Sequence, residues 1–116
     1  MRVLLVEDHR DTRLVLSNLL TRYGHHVLST ETVHHALQLL DGAEFDMLLS
    51  DIGLPDGDGC ELVGEARRRQ PLKMTVALTA LVSDDDRARG LRAGFDHYLT
   101  KPLDVRHLRE VMAAAA

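Results

Sequence analysis

The chain has 116 residues, 45% of them hydrophobic and 28% charged, which fits one globular domain with one core. A net charge of −4 argues against a nucleic-acid surface, which needs a basic stripe, and no apolar run approaches the roughly 20 residues of a membrane-spanning helix. Acids at Glu7 and Asp8 interrupt the opening apolar run too early for a signal peptide, and the single Cys60 has no internal disulfide partner, so a reducing, cytoplasmic setting is expected.

Five short apolar or β-branched runs alternate with helical patterns. Strands are expected at about 2–7, 26–30, 47–51, 75–79 and 97–100, and helices near 11–23, 32–41, 58–70, 84–93 and 104–114. In the first helix Leu16, Leu19, Leu20 and Tyr23 share one face of a 3.6-residue repeat, and Gly24 follows as a stop. The second places Val33, Ala36, Leu37 and Leu40 together, and the last does so with Val105, Leu108, Val111 and Met112. The fourth offers only Ala88, Leu91 and Ala93, so weak packing is expected there. Strand–helix alternation with short connections implies an α/β fold of parallel strands with right-handed crossovers. The near-continuous apolar runs ending at Val6, Leu49 and Leu78 suit strands covered on both faces.

All strand C-termini of a parallel sheet open on one edge. Glu7, Asp8, Asp51, Thr79 and Lys101 all fall at such ends and so share that edge. Three clustered carboxylates repel one another unless a cation joins them. An acidic set without His or Cys suits Mg²⁺, with Mn²⁺ as the alternative hard cation. Asp51 then reads as a nucleophile toward a phosphoryl group, Lys101 as a point charge and Thr79 as a hydrogen-bond donor to its oxygens. The Lys101–Pro102 bond is expected to be cis. Other clusters have plainer readings. Ser83 and Asp84–Asp86 read as a helix cap and its acidic first turn, and Arg67–Arg69 as a solvated helix end. Asp8 or Asp11 is expected to cap the first helix. The adjacent pairs His25–His26 and His34–His35 lack ligand spacing and read as surface groups. Asp56, Asp58, Gly59 and Glu65 imitate part of a calcium loop whose first ligand position is occupied by Leu54.

Val3–Asp8, Ser50–Pro55, Asp58-Gly59, Leu78–Ala80, Ala93–Asp96 and Tyr98–Pro102, in this order and spacing, resemble the receiver domain of two-component response regulators over essentially the whole chain. The resemblance implies a flavodoxin-like sheet of order 2-1-3-4-5 flanked by five helices, with residues 1–116 forming one receiver domain and no output domain in this stretch. It implies that Asp51 is the phosphoacceptor, and that Glu7, Asp8, Asp51 and the Gly53 backbone carbonyl hold Mg²⁺. Thr79 and Lys101 then read the phosphoryl group, and Tyr98 is the switch aromatic coupled to Thr79. The implied donor is a sensor histidine kinase or histidine phosphotransfer protein. A downstream protein reads the face of the fourth helix, fifth strand and fifth helix, about residues 84–114. The isolated chain is expected to be monomeric when unphosphorylated, to make no direct nucleic-acid contact, and to catalyse only its own modification.

Two departures bear on lifetime. Gly53 and Leu81, each two residues beyond a site residue, cannot orient an attacking water, so slow self-dephosphorylation is expected. The stretch Ala93–Asp104 is similar to receivers attached to hybrid histidine kinases, which gives an alternative setting in a phosphorelay. Two other chemistries fit less well. A haloacid-dehalogenase-like phosphatase wants an acid where Gly53 stands. A flavodoxin-like flavin carrier wants a hydroxyl- and glycine-rich loop where Glu7-Asp8 would repel phosphate.

Overall fold

The computed structural model describes residues 1–80 and 83–114. Its strands in chain order are β1 (Arg2–Val6), β2 (His26–Thr30), β3 (Met47–Asp51), β4 (Gly53–Leu54), β5 (Gly57–Asp58), β6 (Met74–Thr79) and β7 (His97–Thr100). The helices are α1 (Arg10–Arg22), α2 (Val33–Gly42), α3 (Gly59–Arg69), α4 (Asp84–Ala93) and α5 (Val105–Ala113). Five strands form one parallel sheet of order β2-β1-β3-β6-β7. This is the expected order 2-1-3-4-5, because β4 and β5 form a separate two-residue antiparallel hairpin beyond Asp51. That hairpin falls after the third expected strand, where no further strand is expected before the third helix.

Alternation along the strands divides the core into two layers. Leu4, Val6, Leu48 and Ala77 pack with Ala36, Leu40, Leu62, Val63 and Ala66 of α2 and α3. Val3, Leu5, Met47, Leu49, Val76, Leu78 and Leu99 pack with Leu16 and Leu20 of α1 and Leu108, Val111 and Met112 of α5. Each fully buried leucine contributes about 1.5–3 kcal/mol relative to exposure. The central strands β3 and β6 are buried at every position, which is why their sequences read as near-continuous apolar runs. One expected core position differs: Val105 is 41% exposed, because α5 turns its Leu108–Val111–Met112 stripe inward.

Capping fixes where the helices start. Thr32, Asp58, Ser83 and Asp104 each accept a backbone N–H within the first turn of α2, α3, α4 and α5. At α1 the cap is His9, whose Nδ1 accepts from the Thr12 amide, and neither Asp8 nor Asp11 takes that part. Asp56 of the β4–β5 turn supplies a second cap to α2, accepting from Val33 N (2.8 Å) and His34 N (3.0 Å). Gly24 and Gly94, with φ of 91° and 121°, end α1 and α4 in the left-handed region that glycine tolerates. The arginines at the end of α3 are more engaged than a solvated turn requires. Arg67 donates to Gly94 O, Thr75 Oγ1 and Asp96 Oδ2, and Arg69 pairs with Asp41 at 2.5 Å.

Candidate functional site

Strand register builds the site. Val6 aligns with Ser50, Asp51 with Leu78, and Thr79 with Thr100, so residues one step beyond these pairs come to the same edge. Glu7 still joins the sheet through its amide, which donates to Thr30 O at 3.0 Å. Asp51 ends β3, and Lys101 follows β7 with its amide on Thr79 O at 3.0 Å. By alternation Glu7, Asp51 and Lys101 follow Leu5, Leu49 and Leu99 onto the α1/α5 face, and the side-chain contacts agree. The Lys101–Pro102 bond is cis, as expected.

The Lys101 ammonium lies between two carboxylates, 3.0 Å from Glu7 Oε1 and 2.9 Å from Asp51 Oδ2. Glu7 is fully buried, the Asp51 side chain is 12% exposed and that of Lys101 is 26% exposed. Glu7 Oε1 also accepts from the His9 amide at 3.1 Å. Burial raises the Glu7 carboxyl above its ordinary range, the Lys101 hydrogen bond opposes that, and neighbouring Asp51 adds to it. Burial works against the Lys101 charge, but its hydrogen bonds to Asp51 and Glu7 prevail and hold the ammonium above its usual value.

Asp8, exposed at the rim, completes an acidic set with Glu7 and Asp51, and one carboxylate oxygen from each lies within 4.8 Å of the others. Three carboxylates facing one ammonium leave two negative charges over, the complement of a divalent cation. Glu7 Oε2 is buried and accepts no hydrogen bond among the described residues. An orphaned carboxylate oxygen is costly unless something positive faces it. An all-oxygen donor set fits a hard cation such as Mg²⁺.

The other expected residues lie around this set. Gly53, itself exposed, opens β4 two residues past Asp51, and nothing comes within 4 Å of the place its Cβ would occupy. Thr79 is buried at the end of β6. Tyr98 is half-buried in β7, its hydroxyl donating toward Asp86 O (2.9 Å) and Arg87 O (2.6 Å) of α4. The expectation resting on Leu81 lies outside the described residues. A recess of about 270 Å³ is lined by Asp11, Thr12, Val15, Lys101, Pro102 and Leu103. No histidine belongs to a metal-compatible cluster among the described residues.

Sequence reasoning missed two supports. Arg13 donates to Glu7 O at 3.0 Å and pairs with Glu31 at 3.0 Å, bracing the chain where it leaves β1. Gly59 lies against the backbone of Asp51 and Ile52; an added Cβ would sit 2.9 Å from Ile52 Cα and closer still to Asp51 O. Its amide donates to Ile52 O at 2.7 Å, so the start of α3 holds the segment that carries Asp51. The Asp58-Gly59 pair was visible in sequence, but its closeness to Asp51 was not.

A doubly wound parallel sheet with acids, hydroxyl and amine at one edge defines a receiver-like α/β domain. The model of the response regulator receiver domain matches residues 3–113, and the chain belongs to that family of two-component signalling proteins. It is 38% identical over 114 residues to the response regulator protein PilR of Pseudomonas aeruginosa, covering 98% of this chain and 26% of PilR. It is 39% identical over 106 residues to an uncharacterised 14.6 kDa protein of Leptolyngbya boryana, covering 90% of this chain and 81% of that one. The chemotaxis response regulator CheY4 of Vibrio cholerae superposes with a TM-score of 0.91 at 26% identity, covering 99% and 98% of the two chains. The chain spans about a quarter to a half of the length of several curated regulators it matches.

Proposed function

We propose that this chain is a phosphorylation-dependent signalling switch in which Asp51 accepts a phosphoryl group. The observation that carries the reading is the clustered Glu7–Asp8–Asp51 set with Lys101 drawn against two of its members. An Asp51 carboxylate oxygen attacks phosphorus, the bond from phosphorus to the donor breaks, and the departing group keeps that electron pair. Hydrolysis by water later restores the carboxylate. Glu7, Asp8, Asp51 and the Gly53 carbonyl would hold Mg²⁺ or Mn²⁺, which, when bound, offsets negative charge on the incoming phosphoryl oxygens. Lys101 supplies a positive contact to one such oxygen and Thr79 a hydroxyl hydrogen bond to another. The chain is not a metabolic enzyme on this reading, because its only product is its own modified form.

The donor is a histidine kinase, a histidine phosphotransfer protein or a small acyl phosphate. Signalling runs through α4, β7 and α5, where Tyr98 touches α4 directly and responds to movement of Thr79. Phosphorylation adds about −1.5 to −2 charges, enough to bias a two-state element. The relatives carry names of response regulators and transcriptional regulatory proteins, which favours a regulator over the receiver of a hybrid kinase. The net charge of −4 argues that any DNA contact belongs to another segment or partner. A cytoplasmic location and a monomeric resting state complete the reading.

The test is metal dependence of labelling. Acetyl phosphate should add one phosphoryl mass in Mg²⁺ and none in excess EDTA, and Asp8→Asn should raise the Mg²⁺ concentration required. Equal labelling in EDTA would overturn the metal-assisted reading.

A further inference from the structure

Gly90 lies in the interior of α4 and is the buried residue of that helix; its neighbours Arg89, Leu91 and Arg92 are exposed. Glycine inside a helix is disfavoured relative to alanine, and Gly90 has no positive φ to justify it. What it provides is space. A Cβ on Gly90 would sit 2.8 Å from Tyr98 Cζ and closer still to the Tyr98 hydroxyl oxygen. That hydroxyl is the atom bonded toward Asp86 O and Arg87 O, one helical turn earlier. The tyrosine tip therefore occupies a notch in α4 that only glycine leaves open. Another fastening of α4 is polar as well: Arg89 pairs with Asp58, the cap of α3 in the segment that follows Asp51.

We infer that Gly90 is the seat that holds Tyr98 in its resting position, so that residue 90 sets how much of the unphosphorylated protein rests in the off arrangement. The inference rests on the switch reading above and names the device that regulates it. When the ring swings inward, the notch empties and two backbone carbonyls lose their outside donor. Any side chain at position 90 fills the notch and displaces the ring without phosphorylation. Because site and switch are linked, a destabilised resting pose must appear as tighter binding of a phosphoryl mimic at Asp51. Gly90 is a positioning residue, since it touches neither phosphoryl group nor metal ligand.

The chain has two tyrosines, Tyr23 and Tyr98, and no tryptophan, so fluorine NMR of 3-fluorotyrosine-labelled protein gives two signals, assigned with Tyr23→Phe. In Gly90→Ala without phosphodonor, the Tyr98 signal should move toward its position in wild type saturated with beryllium fluoride and Mg²⁺, with Tyr23 unmoved. Beryllium fluoride should bind Gly90→Ala about five-fold or more tightly, within the usual range of allosteric coupling. In a Tyr98→Leu background, Gly90→Ala should leave that affinity unchanged. An unmoved Tyr98 signal in Gly90→Ala overturns the inference. So does an unchanged affinity, or a gain that survives in Tyr98→Leu, which would assign the effect to helix propensity. Failure of the switch reading looks different: the wild-type Tyr98 signal would then ignore saturating beryllium fluoride.

Discussion

Replacing Lys101 with methionine removes the positive charge from between two carboxylates while keeping most of the aliphatic stem. The ammonium is about 3 Å from each oxygen, and at an effective dielectric near 20 each attraction is roughly 5 kcal/mol before desolvation is subtracted. Removing one partner of a buried pair costs about 3–5 kcal/mol, and the partial exposure of Lys101 moves the expectation to about 2–3 kcal/mol. For a chain of this size that lowers the midpoint of thermal unfolding by roughly 8–12 °C. The loss depends on pH. Because burial holds the Glu7 carboxyl above its ordinary 4.5, the folded protein keeps a proton there that the unfolded chain has released. Glu7 therefore contributes fully below pH 4.5, and that contribution is lost as pH rises through the raised value. In Lys101→Met the carboxyl loses its ammonium partner and rises further, so the gap from wild type should open as pH rises through the raised wild-type value and close below it. Mg²⁺ should restore most of the loss, since the variant presents three carboxylates with no competing ammonium. Urea unfolding followed by circular dichroism, in EDTA and in Mg²⁺ across this range, reads all three effects. A variant as stable as wild type in EDTA at neutral pH, or one that Mg²⁺ fails to stabilise, would refute the reasoning.

Gly59→Ala should destabilise by about 1–3 kcal/mol and slow labelling of Asp51, because the new methyl meets the Asp51 and Ile52 backbone and not a movable side chain. Urea midpoints and labelling rates by mass spectrometry measure both. Asp96→Ala should cost about 1–3 kcal/mol by leaving the Thr75 amide without its acceptor and removing the carboxylate partner of Arg67, yet leave the labelling rate unchanged, because this network lies at the far end of β6 from Asp51. With no side chain at Gly53 to orient an attacking water, the phosphoryl group should persist for many minutes after donor removal; decay within seconds would contradict this.

Much of the site was legible because a parallel sheet turns strand order into spatial order. Once Glu7, Asp51, Thr79 and Lys101 were placed at strand ends, a common edge followed without knowledge of any contact. The Leu16–Leu20 and Leu108–Val111–Met112 stripes were equally plain, since helical periodicity states which face is covered. What escaped detection was pairing between elements distant in sequence. Arg67 belongs to Gly94, Thr75 and Asp96, and nothing in the run Arg67–Arg69 tells which arginine turns inward. Asp56 caps a helix that precedes it by over twenty positions, a bond that local turn chemistry does not announce. His9 and not an acid caps α1, and Asp8 lies instead with Glu7 and Asp51, a division that local cap chemistry does not announce. Gly90 carries no signal in sequence, because its meaning lies in the Tyr98 ring packed against it from another element.

The most direct measurement locates the phosphoryl group. Wild type incubated with acetyl phosphate and Mg²⁺ is reduced with borohydride, which converts an acyl phosphate on aspartate to homoserine, and is then digested and sequenced by mass spectrometry. Homoserine at position 51 alone, absent from the Asp51→Asn protein, is the predicted result. An adduct that persists in Asp51→Asn, or that maps to Glu7 or Asp8, would contradict the assignment of Asp51 as the acceptor.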